Sequence, residues 1–262
     1  MKPILRTVNG KSELWISGYI VQNEDKEFYG WWGLEAVCPN DIITALENLD
    51  GADLTVKIDG YGGSIWAGGT IYTEFMQYNG KIEFIITGLA ASAHGTIAMA
   101  SAKAGNILRM SPMAMLMMHN IQSSGSYGDY RDMEHEAKAL KSANRTAINA
   151  FHIKSGLPED EIARMMDEET WLNPQEALDL GIIDEIMYTD DLPMTEPPPA
   201  GVLNMVKSGY RNMLNSINIP DRSRLEEMRE QIYPQKPDTT NLIEQAAAQL
   251  AIEKQRFGGM QK

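Results

Sequence analysis

The chain has 262 residues, 43% of them hydrophobic, one cysteine and a formal net charge of −13. One cysteine excludes an intrachain disulfide and fits a reducing, cytoplasmic compartment. The acidity argues against a phosphate backbone as partner, and no apolar run approaches the roughly 20 residues of a membrane span.

The opening stretch "MKPILRTVNGKSELW" has no long apolar segment and reads poorly as a signal peptide. Residues 13–20, "ELWISGYI", alternate as a strand does. A helix is expected over 39–49, capped by Asn40 or Asp41, with Ile42, Ile43, Leu46 and Leu49 on one face. "ADLTVKID" (52–59) reads as a strand ending in the glycine-bearing turn "GYGGS". A helix over 65–78, a short buried strand over 81–87 and a helix over 91–102 follow. "NILRM" and "AMLMMH" supply two more strands.

After Asn120 comes a polar Gly/Ser-rich loop, then a long charged helix over 130–154. "GLPEDEIARMMDEE" reads as a helix with Pro158 in its first turn. "NPQEALDL" is a short helix stopped by Gly181, and "IIDEIM" closes the domain. Alternating strands and helices predict a layered α/β domain with a mostly parallel sheet. Residues 1–189 carry 14 Lys and Arg against 26 Asp and Glu, net −12; such a surface serves solubility or attracts basic polypeptide. Near 189 the chain turns acidic and Pro-rich, an extended linker by composition. The expected organisation is a domain over 1–188, a linker over 189–201 and a helical tail over 202–262, mobile until a partner holds it.

The chemistry centres on "TGLAASAHGTIAMA" (87–100), where Ser92 sits among Gly and Ala. Small residues let two elements pack closely, and they also permit a sharp strand-to-helix turn that presents a nucleophile. A serine needs a base. His135 and His152 lie in the charged helix, and His94, two residues from Ser92 in a helix, would point to another face. His119 ends an apolar strand, where a side chain projects into a cleft. Glycines 60, 62 and 63 permit positive φ and close backbone approach, either as a plain turn or as the source of an N–H for an oxyanion. Ala93, at a helix start, offers a second N–H. Asp167, Glu168, Glu169 and Asp184 are all candidates for an acid that orients the histidine.

Four segments in order resemble the ClpP family of self-compartmentalising serine peptidases: "IDGYGGSIWAGGTIY", "TGLAASA", "SPMAMLMMHN" and "ETWLNPQEALDLGIIDEI". The resemblance covers about 13 to 187. It implies a ClpP/crotonase-like β-α superhelix with a long handle helix which, together with the loop before it, is expected at 121–154 and joins rings of a homo-oligomer. It also implies Ser92 as nucleophile, His119 as base, and the N–H groups of Gly63 and Ala93 as oxyanion hole. The family's acid stands two residues before an aromatic; before Trp171 that position holds Glu169, with Asp167 as substitute. Tyr61 departs from the family's usual Pro, a change expected to affect the turn's stiffness. An extended polypeptide substrate is expected beside Gly62, Gly63 and Ser64 and the loop residues Gln122, Ser123, Ser124 and Gly125, with no metal or other cofactor required.

The continuation past 189 resembles, within that family, the Clp-like head maturation proteases of tailed bacteriophages. That implies capsid and scaffold proteins as substrates and partners, an assembling prohead in a bacterial cytoplasm as location, and a tail that tethers the enzyme or is self-cleaved. The alternatives are a cytosolic peptidase fed by an ATPase, a membrane-anchored Ser/Lys enzyme, which lacks its anchor here, and a silent assembly protein.

Overall fold

The computed structural model describes residues 5–189, apart from Ser124 and Ser126. The linker and tail expected over 189–201 and 202–262 fall, beyond Thr189, outside those residues.

The N-terminal part forms β1 (Leu5–Val8) and β2 (Lys11–Ile20), then α1 (Lys26–Trp31) and β3 (Ala36–Val37). The composition read β2 alone from this stretch; the other three are short and lean on β2 for their pairing or packing. Helix α2 (Pro39–Leu49) is capped by Cys38, not by Asn40 or Asp41. Asp41 instead sits in the first turn, where its carboxylate accepts from Cys38 N–H at 3.0 Å and pairs with Lys26. A carboxylate there is favoured by the free N–H groups of the helix start.

Next come β4 (Leu54–Gly63), α3 (Ile65–Gln77), β5 (Ile82–Ala91), α4 (Ala93–Ala98) running into a 3-10 turn (Met99–Ala102), β6 (Ile107–Met110) and β7 (Met115–Met118). The long helix α5 (Tyr130–Ser155) starts at Asp129, which accepts from the N–H groups of Arg131 and Asp132, and ends at Gly156. Helix α6 (Glu159–Asp167), β8 (Thr170–Leu172), α7 (Pro174–Asp179) and β9 (Glu185–Ile186) complete the described chain. Pro158 caps α6 rather than lying inside it.

The architecture is the expected mixed α/β fold. The sheet runs β1-β2-β4-β5-β6-β9, with β3 beside β2 and β7 between β5 and β8. Among the described residues only β1/β2 and β7/β8 pair antiparallel. The helix-covered face of the central strands is fully buried, Val56, Ile58, Phe84 and Ile86 being inaccessible to water, while the opposite face carries the partly exposed Lys57 and Glu83. Gly68 on α3 lies where a Cβ would stand 3.3 Å from that of Ala93, so α3 and α4 approach through small residues.

Asp184, one of the four candidate acids, is used structurally. It accepts from Leu108 N–H at 2.6 Å and pairs at 2.6 Å with Lys154, whose side chain is 6% exposed. Lys154→Met leaves Asp184 without its counter-charge and should cost about 1–3 kcal/mol. The expected result is a lower urea midpoint at an unchanged m-value.

Candidate active site

Two features of the chain differ locally from the turn-based reading. Strand β4 does not stop before the glycines but runs through them to Gly63, paired with Tyr19 and Ile20 of β2. Strand β5 likewise runs to Ala91, so Ser92 lies between the last strand residue and the first residue of α4. Ser92 has φ 55 and ψ −121, a conformation that a residue with a Cβ adopts at a cost of about 1–3 kcal/mol. It is held by its N–H donating to Met117 O at 3.0 Å and its carbonyl accepting from Thr96 N–H at 3.1 Å. The hydroxyl at this junction is half-buried.

His119 follows β7 directly, and β7 pairs with β5 at Leu89–Ala91. That pairing brings the ends of the two strands together. His119 Nε2 lies 2.8 Å from Ser92 Oγ. Burial pushes the imidazole's pKa below its usual value, and the Glu169 carboxylate pulls it partly back up.

The antiparallel partner of β7 is β8, with Met118 opposite Thr170 and Met117 opposite Trp171. One residue further along this register, His119 faces the position of Glu169. Trp171 Nε1–H donates to Glu169 Oε1 at 3.3 Å. Glu169 itself has φ 50, a second strained residue at the same place. Asp167 is exposed and accepts from Asn120 Nδ2 at 2.7 Å, and Glu168 pairs with Arg164 on the surface at 3.0 Å. The structure therefore brings Glu169 to the histidine, and gives Asp167, Glu168 and Asp184 other partners.

Gly62 and Gly63 have φ 111 and 140, both outside the range of ordinary side chains. A Cβ on Gly62 would stand 2.7 Å from that of Ser92, and one on Gly63 would collide with Ile20 O. Gly62→Ala should therefore displace the serine as well as strain the strand: activity falls by at least about tenfold and stability by about 1–3 kcal/mol. A rate assay beside a thermal melt separates the two. Ala93 is the first residue of α4, so its N–H has no intrahelical acceptor. Ser64 caps α3, its Oγ accepting from Ala67 N–H at 3.3 Å and from Gln22 Nε2 at 3.2 Å; its hydroxyl is thus a structural cap.

Gln122, Ser123 and Gly125 lie on the exposed loop after His119, and Ser124 falls outside the described residues. His135 and His152 are exposed, as read from the sequence. His94 is fully buried and its Nδ1 accepts from Gly62 N–H at 3.0 Å, a contact with the glycine strand that sequence reasoning missed. Among the described residues, no group of three or more His, Cys, Asp or Glu could hold a metal ion, and no helix is long and apolar enough to cross a membrane.

Residues 35–190 match a family model described as "Clp protease". The ATP-dependent Clp protease proteolytic subunit of Deinococcus radiodurans is 28% identical over 158 residues, covering 59% of this chain and 76% of that protein. The subunit of the same name from Bacteroides fragilis is 29% identical over 143 residues, covering 54% and 68%. That of Porphyromonas gingivalis is 30% identical over 144 residues, covering 54% and 63%. These three relatives are bacterial Clp subunits, and none of their names carries a phage function.

Proposed function

This chain belongs to the Clp protease family and is a serine peptidase, and from that premise we propose that Ser92, His119 and Glu169 are its catalytic triad. The observation that carries this reading is a strained serine whose Oγ lies 2.8 Å from a histidine Nε2. Strain confined to such a junction is typical of a positioned nucleophile.

In this reading His119 Nε2 takes the Ser92 proton as Oγ attacks a peptide carbonyl. The oxyanion forms between the N–H groups of Gly63 and Ala93. His119 then gives its proton to the leaving amine, and water hydrolyses the acyl-enzyme by the same route. Glu169, held by Trp171, orients His119 and stabilises its cation. An extended polypeptide lies beside Gly62, Gly63 and the loop of Gln122, Ser123 and Gly125, adding a strand to the site. No step needs a metal or an organic cofactor.

The working partner we propose is an ATPase, because the relatives above are named as ATP-dependent proteolytic subunits. We also propose a homo-oligomeric ring joined through the start of α5. Tyr127 and Tyr130 are 93% and 67% exposed there, and aromatic side chains of that size favour burial in an interface. A second reading, head maturation with capsid and scaffold proteins as substrates, is favoured by one feature. The chain continues past the matched segment, through residues 191–262, with a Pro-rich stretch.

One experiment separates the two. The wild type and Ser92→Ala are each given a folded substrate with the host's Clp ATPase and ATP, and separately co-expressed with the neighbouring capsid and scaffold proteins. Intact masses of all chains are then recorded. ATP-stimulated degradation by the wild type alone supports the first reading. Shortened capsid or scaffold chains without ATPase support the second. Cleavage that persists in Ser92→Ala overturns both.

A further inference from the structure

The search outside the triad leads to His94. Its ring is inaccessible to water, and burial holds its pKa down to about 3, so it is neutral at any working pH. Since Nδ1 accepts the Gly62 N–H, the ring proton resides on Nε2. Among the described residues Nε2 has no hydrogen-bond partner. A buried donor left unmade is costly, and an apolar side chain of similar size would fill the space without that penalty. What distinguishes histidine here is therefore the acceptor at Nδ1.

That acceptor stands where the sheet offers none. Strand β4 pairs with β5 only as far as Gly60 opposite Ala90. Beyond this point the ring of His94 takes the place of a neighbouring strand. Gly60 admits it, since a Cβ there would stand 2.5 Å from His94 Cε1 and Nε2. On the far side of Gly63, Ser64 N–H donates to Ile20 O at 2.7 Å. The peptide joining Gly62 to Gly63 thus lies between two anchors. Two successive glycines at positive φ resist rotation of that peptide only weakly, so the anchors set where the Gly63 N–H points.

We propose that His94 is a positioning residue for the oxyanion hole, its Nδ1 fixing the Gly62 backbone and thereby the orientation of the Gly63 N–H. This rests on the reading of Ser92 as nucleophile and Gly63 as oxyanion donor. A misdirected donor weakens the transition state and leaves ground-state peptide binding in place, so the effect falls on kcat.

The test is steady-state cleavage of an unstructured fluorogenic peptide by the full chain, comparing His94→Leu, His94→Asn, His94→Gln and Ser92→Ala. Asparagine sets its amide oxygen near the position of Nδ1; glutamine sets it one methylene further out. The expected result is a kcat loss of about 10–100-fold in His94→Leu with KM within about twofold, and recovery of most of that loss in His94→Asn. Wild-type kcat in His94→Leu, or equal losses in the leucine and asparagine variants, overturns the proposal. If the leucine variant does not fold, the two amides decide: His94→Asn must exceed His94→Gln in kcat at similar melting temperature, and equality overturns it. Cleavage retained in Ser92→Ala removes the underlying reading as well. Cleavage lost in Ser92→Ala with His94→Leu unaffected removes only the role of His94.

Discussion

Ser92→Ala should lower kcat for peptide hydrolysis by roughly 10⁴–10⁶-fold and leave the thermal midpoint within about 2 °C of the wild type. The rate loss follows from the proposed role of Ser92 as nucleophile, its Oγ 2.8 Å from His119 Nε2. The small thermal effect follows because the junction is held by backbone bonds to Met117 O and from Thr96 N–H, which alanine keeps. Alanine also inherits the same positive φ, so no strain is relieved. Rapid labelling by a serine-directed fluorophosphonate in the wild type, absent from the variant by intact mass, is the companion measurement. A variant that still cleaves would place the nucleophile elsewhere.

The serine and the histidine were legible because local signals mark them. Small residues before an apolar helix, and a polar side chain ending an apolar strand, are patterns of a few consecutive residues. The parallel order was legible for the same reason, since strand and helix periods alternate through 52–110. The acid was not. Asp167, Glu168, Glu169 and Asp184 differ in placement, and what brings Glu169 opposite His119 is the antiparallel pairing of β7 with β8, a three-residue strand with no periodicity of its own. The resemblance singled out Glu169 by its spacing from Trp171. The indole bond to Glu169 and the capture of Asp184 by Lys154 give that spacing a physical basis. The contact made by His94 was hidden for a related reason. A helical wheel puts it on another face from Ser92, as the structure does, but that face meets the glycine strand of β4, a contact between residues 32 apart in sequence. Strand β4 continuing through Gly60–Gly63 was also hidden, because glycines end strands by propensity, whereas here β2 on one side and His94 on the other hold them extended.

The second large effect separates the two acids nearest the site. Glu169→Gln should lower kcat/KM by about 10²–10⁴-fold, while Asp167→Asn stays within about threefold. Glutamine keeps the shape of the side chain and can still accept from Trp171 Nε1, so what disappears is the charge beside His119. The pH profile carries the sign. Burial already holds the His119 pKa below its usual value, and Glu169 is the group that raises it. Without that carboxylate the imidazolium is less stable, its pKa falls further, and the acid limb of kcat/KM moves to lower pH. A lower plateau with the acid limb displaced downward is therefore the signature of losing Glu169. Asp167→Asn should leave the limb where it is, because Asp167 is engaged with Asn120 on the exposed side of the loop and asparagine can accept that same bond. The reverse pattern, with Asp167→Asn inactive and Glu169→Gln intact, would transfer the role to Asp167 and require the loop around Asn120 to turn inward when substrate binds.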